Sequence, residues 1–155
     1  RAERLVFQLL FTRPTVFSYK KGETIVLNGG GILARILVVD DEEPIRGLLR
    51  HALVSNGHEV VEASNGTEAI RRFREGSIDL VITDIIMPDK EGLESIMDLR
   101  EIDHDVKIIA MSGGGRLEPH SYLQMASKFG AQRVFQKPLS ISTLLLAVDE
   151  LLNSD

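Results

Sequence analysis

"ILVVDDEEP" (Ile36–Pro44) drives four apolar residues straight into two adjacent aspartates, and that junction decides how the rest of the chain reads. Ile36, Leu37, Val38 and Val39 form the unbroken apolar run of a strand buried on both faces. Asp40 and Asp41, side by side at its end, repel each other, the more so at the low-dielectric end of a sheet. A positive group is therefore expected beside them.

Outward from this strand, Arg35 onward alternates. Short runs rich in β-branched residues occur at 35–39, 58–63, 79–83, 106–111 and 133–136. Between and after them lie five segments with helical spacing. Ile45, Leu48, Leu49, Ala52 and Leu53 mark the first face, closed by Asn56-Gly57, and Ala69, Ile70 and Phe73 the second, ahead of Gly76. Leu93, Ile96, Met97 and Leu99 mark the third, and Tyr122 to Phe129, closed by Gly130, the fourth. Leu144, Leu145, Val148, Leu151 and Leu152 mark the last. Five β–α units in series predict an α/β fold, a parallel sheet covered by helices on both sides. In open sheets of this kind chemistry collects beyond the carboxyl ends of the strands. The residues standing there are Asp40, Asp41, Asp84, Ser112 and Lys137.

The chain of 155 residues suits one domain with a substantial core. Its net charge of −5 argues against general nucleic-acid binding, no apolar run suits a membrane helix, and the absence of cysteine excludes disulfides and thiolate metal sites. A cytoplasmic location is expected. Residues 1–34 differ from the rest: they carry a net charge of +3 against −8 for the remainder, and they hold Phe7, Phe11, Phe17 and Tyr19, four of the eight aromatics. They are read as an N-terminal extension, a leader or translated upstream sequence with the natural start near Leu33. The alternative is a docking arm that pairs with another molecule. A secretory signal fits poorly, because the apolar stretch is short and Arg13-Pro14 follows it directly.

Three carboxylates and a lysine at strand ends point to a divalent cation and a phosphoryl group. Mg²⁺ takes hard oxygen ligands, which Asp40, Asp41 and Asp84 supply. Lys137 offers a point charge for Asp84 or for a phosphoryl oxygen, and Ser112 a hydroxyl for another. Gly113 opens a run of three glycines, where backbone amides can approach an anion.

From Arg35 to about Asn153 the chain resembles the receiver domain of bacterial two-component response regulators, of the stand-alone chemotaxis type. The motifs that carry the resemblance are "ILVVDDE", "ASNGTEA", "DLVITDIIMPDKEG", "IIAMSG" and "QKPL", all in order. It implies a flavodoxin-like (βα)5 doubly wound parallel sheet, order 2-1-3-4-5, over residues 35–153. It further implies that Asp84 accepts a phosphoryl group from a sensor histidine kinase or phosphotransfer protein, and that Asp40, Asp41, Asp84 and the backbone carbonyl of Ile86 hold Mg²⁺. Ser112 takes the part of the switching hydroxyl, Lys137 binds the phosphoryl group with the Gly113 amide, and a cis peptide joins Lys137 to Pro138. Output passes through a downstream protein target, on a surface that can also support a homodimer, with no direct nucleic-acid or membrane contact.

The chain departs from the family pattern in three places. Val134 stands where receivers usually carry an aromatic switch residue, with Phe135 one place later on the opposite strand face, so Val134 is expected simply to pack and the loop to carry the output. The interval from Ser112 to Lys137 is about three residues longer than usual, the excess falling in a flexible loop over 113–122, with Pro119 in the first turn of the next helix. Ile86 and Gly114 cannot orient an attacking water, so self-dephosphorylation is expected to be slow.

The remaining features read structurally. His51, His58, His104 and His120 are taken as surface or helix-end residues without metal spacing. Met87 and Met111 pack, and Pro88 shapes the loop after Asp84. Beside a self-contained receiver, two other functions were weighed: a receiver cut from a longer regulator, and a phosphatase-like enzyme forming an aspartyl phosphate. The latter wants an acid two residues after its nucleophile, a place held by Ile86 after Asp84.

Overall fold

A computed structural model describes residues 33–87, 92–113 and 119–154, with the side chains of 119–123 left aside. The predicted extension up to Ile32, Pro88 and the loop from Gly114 to Glu118 lie outside the described residues.

The strands are β1 (Arg35–Val39), β2 (Glu59–Ala63), β3 (Leu80–Asp84), β4 (Lys107–Ser112) and β5 (Arg133–Gln136). The helices are α1 (Glu43–Ser55), α2 (Gly66–Glu75), α3 (Gly92–Ile102), α4 (Pro119–Lys128) and α5 (Ile141–Asn153). All strands run parallel, as the β–α alternation predicts, in the order β2-β1-β3-β4-β5 that the receiver resemblance implies. Observed bounds differ from the sequence reading by a residue or so in strands β2 to β4. The α3, α4 and α5 helices begin earlier than their apolar stripes, because the first turn of a helix need not touch the core.

Local chemistry explains where helices begin and end. Asn65 caps α2 by accepting from the Glu68 amide at 2.8 Å, and Glu68 reaches back to accept from the Ser64 amide at 2.9 Å. The turns after α1 and α4 place Gly57 and Gly130 at φ of 93° and 112°, left-handed values that a side chain strains to adopt.

The two-residue period of β1 divides the core. Leu37 and Val39 pack with Val81, Ile108 and Ala110 against Phe73, Ile96, Leu99 and Ala126 of α2, α3 and α4. Ile36 and Val38 face the other way, with Ile82, Ile109 and Met111, against Leu49, Leu53, Leu144 and Val148 of α1 and α5. Each such fully buried Leu or Ile contributes about 1.5–3 kcal/mol. Ala34, assigned to the extension in the sequence reading, belongs to this second core and its carbonyl accepts from the Glu59 amide at 3.0 Å.

Two readings change. His58, expected at the surface, is buried at the start of β2, and its Nδ1 has no partner among the described residues. His51 and His104 are exposed, and the His120 side chain lies outside the described residues. Val134, expected to pack, sits in the exposed apolar surface, while Phe135 takes the buried side against the α1/α5 core.

Candidate functional site

Strands β1 and β3 pair directly while their flanking connections run to opposite sides, so their carboxyl ends open a crevice at the switch in strand order. Asp40 leaves β1 into this crevice and is completely buried. Its amide donates to the Ala63 carbonyl at 3.2 Å, and its Oδ1 accepts from the Glu42 amide at 2.9 Å. Asp41, next along, is exposed. Asp84 closes β3, nearly buried, with Oδ1 accepting from the Ile86 amide at 2.9 Å.

Lys137 supplies the expected positive group. Its Nζ donates to Asp40 Oδ2 at 2.7 Å and to Asp84 Oδ2 at 2.8 Å, and stands 3.6 Å from Glu42 Oε1. Its amide donates to the Ser112 carbonyl at 2.8 Å, tying the end of β5 to that of β4. The peptide bond between Lys137 and Pro138 is cis.

Carboxylate oxygens of Asp40, Asp41 and Asp84 lie within 4.8 Å of one another. Three carboxylates and one ammonium leave two net negative charges, the complement of one divalent cation. Burial pushes the Asp84 carboxyl above the usual carboxylate range, with the Lys137 and Ile86 hydrogen bonds opposing and Asp40 adding to the rise. Burial pulls the Lys137 amine down, but its hydrogen bonds and attraction to Asp40 and Asp84 more than offset this, so it is held above its ordinary value and stays charged.

Ser112 ends β4 fully buried, and its Oγ has no hydrogen-bond partner among the described residues. A buried hydroxyl left so is costly unless an acceptor arrives. Gly113 follows at the mouth of the crevice, so close to Lys137 that a Cβ on it meets the lysine side chain at 3.0 Å. A cavity of about 600 Å³ opens here, with Asp41, Asp84, Ile86, Gly113 and Lys137 on its polar side and Leu48, Pro138 and Ile141 among its apolar walls. Every residue predicted for the site lines this crevice or is bonded within it.

One residue that shapes the site was missed. A Cβ on Gly92, the first residue of α3, falls 2.1 Å from the Asp84 carbonyl oxygen and 2.4 Å from Ile85 Cα. Only glycine lets this helix approach the backbone at the end of β3. In the sequence Gly92 closes the "DLVITDIIMPDKEG" motif directly ahead of an apolar-periodic stretch, but was given no role there.

The family model of the response regulator receiver domain matches residues 36–149. The chain is 38% identical over 120 residues to the chemotaxis protein CheY of Bacillus subtilis, covering 77% of this chain and 98% of that protein. It is also 38% identical over 122 residues to the DNA-binding transcriptional regulator NtrC of Azospirillum brasilense, covering 79% of this chain but only 25% of the relative. Among solved structures it resembles the response regulator TrrA of Thermotoga maritima, crystallised with Mg²⁺ and BeF, at a TM-score of 0.68 and 38% identity, covering 77% of this chain and 99% of that one. Fold, strand-end carboxylates and relatives agree: this chain belongs to the response regulator receiver domain family and is a two-component signalling receiver.

Proposed function

We propose that Asp84 is the phosphoryl acceptor of this receiver, taking the group from a sensor histidine kinase or a phosphotransfer protein and so changing a surface that a downstream protein target reads. The observation that carries this reading is the Asp84 carboxylate at the cavity mouth, 2.8 Å from Lys137 Nζ and grouped with Asp40 and Asp41.

Mg²⁺ fits the donor set, which is all hard oxygen with a net charge of opposite sign. Asp40, Asp41 and Asp84 would hold it, with the Ile86 carbonyl. When bound, the ion supplies charge neutralisation on the phosphoryl oxygens. The chain's own residues do the remainder. An Asp84 carboxylate oxygen forms the new O–P bond, while the P–N or P–O bond to the donor breaks and leaves its electron pair with the donor. Lys137, already charged and aimed at Asp84, pairs with a phosphoryl oxygen, and the Gly113 amide donates to the group from the cavity mouth. The unpartnered Ser112 Oγ donates to another oxygen, and its shift carries the change from the site into β4 and the surface.

Incubation with Mg²⁺ and a small phosphoryl donor, followed by intact mass, tests the proposal. The wild type gains one phosphoryl group, and Asp84→Asn and EDTA-treated protein gain none. A phosphorylated Asp84→Asn protein overturns the assignment. The Ile86 side chain, partly buried against the core, offers no group to orient water, so the phosphorylated form decays over minutes or longer; a lifetime of seconds contradicts this.

A further inference from the structure

The acid pair is gripped from behind by a guanidinium. Arg46 Nη1, one turn into α1, donates to the Asp40 carbonyl at 2.8 Å and to the Asp41 carbonyl at 3.2 Å. Its Nε lies 3.5 Å from Glu62 Oε1 on β2, and Glu62 also stands 3.5 Å from Arg50 Nε. The Arg46 side chain is only 15% exposed, so this fork is a settled contact.

Of the three carboxylates, two have anchors of their own. Asp40 is buried and its oxygens are held by the Glu42 amide and Lys137, while Asp84 is held by the Ile86 amide and Lys137. Among the described residues no hydrogen bond or ion pair reaches the Asp41 carboxylate, although it lies within the same 4.8 Å cluster. What holds Asp41 in place is its backbone, and Arg46 holds that backbone. We infer that Arg46, braced by Glu62, is a positioning residue that presents Asp41 to the divalent cation and thereby sets the metal affinity of the receiver. This rests on the Mg²⁺ reading above.

Charge and geometry make opposite demands here. A guanidinium near a cation site repels the cation, so if charge alone mattered its removal would tighten binding. If positioning governs, removal loosens Asp41 and weakens binding, as loss of groups that orient metal ligands does by about 10–100-fold.

The test is direct metal binding by the full chain, Mg²⁺ by calorimetry and Mn²⁺ by electron paramagnetic resonance. Arg46→Ala weakens both about tenfold. Arg46→Lys, which keeps the charge but cannot span the two carbonyls and Glu62 at once, also weakens them. Glu62→Asp, which keeps the negative charge but draws it back from Arg46, shifts binding in the same direction and decides the matter if Arg46→Ala fails to fold. Raising Mg²⁺ restores phosphorylation from a small donor in the Arg46 variants, a recovery that general structural damage does not give. Wild-type or tighter metal binding in Arg46→Ala, or in Glu62→Asp where the former does not fold, overturns the inference. Absence of metal binding by the wild type instead overturns the Mg²⁺ reading and this inference with it, and Asp41→Ala is the reference for loss of one ligand.

Discussion

Lys137 is the residue on which the resting site depends. It neutralises two buried carboxylates at once, and its side chain is only 14% exposed. Removing one partner of a buried pair leaves the others uncompensated, at a cost of about 3–5 kcal/mol. Lys137→Met is therefore expected to lower the unfolding free energy measured by urea titration in EDTA by that order, and added Mg²⁺ to raise the melting temperature more in this variant than in the wild type, because a competing positive charge has gone. Ser112 predicts the opposite sign. Its Oγ is buried with no hydrogen-bond partner among the described residues, so Ser112→Ala removes an unsatisfied group worth about 1–3 kcal/mol. The resting variant is expected to be at least as stable as the wild type by urea unfolding, while its phosphorylated form loses the surface change, visible as unaltered amide chemical shifts in β5.

At the scale of elements, two glycines in helices have unlike jobs. Gly92 starts α3 against the Asp84 carbonyl, where a Cβ meets backbone atoms that cannot swing aside. Gly92→Ala is expected to cost about 1–3 kcal/mol through overpacking and to slow phosphorylation by displacing the end of β3. Gly47, inside α1, has nothing within 4 Å of an added Cβ. Gly47→Ala is expected to gain about 0.5–1 kcal/mol from helix propensity and leave phosphorylation unchanged. Parallel urea titrations with donor assays check the pair. Their difference is invisible in sequence, where each is a lone glycine beside apolar residues.

For the molecule as a whole, pH dependence of stability centres on His58. Burial holds its imidazole below the ordinary value of 6.5, with Asp149 and Asp79 opposing that shift. Between the lowered value and 6.5 the unfolded chain binds more protons than the folded one, so stability rises with pH across that window and is lost as pH falls through it. The urea midpoint of the wild type is expected to drop as pH falls from 7 toward 5, and the drop to shrink in His58→Leu. An equal drop in both proteins contradicts this assignment.

The sequence alone determined the parallel sheet and which polar side chains stand at its strand ends. Apolar period and strand-end position are local properties, and local properties survive in a one-dimensional reading. Asp40, Asp84, Ser112 and Lys137 were each legible because each ends or directly follows its own strand. The tertiary structure decided what those groups meet. Lys137 lies 97 residues from Asp40 and 53 from Asp84 yet bonds to both, and folding buries Asp40 while leaving its neighbour Asp41 in water. Gly92 against Asp84, Arg46 behind the acid pair, His58 in the interior and Val134 at the surface were all settled by packing between distant segments. Distance and dielectric between such segments are properties of the assembled fold, and neither is encoded in the spacing of residues along the chain.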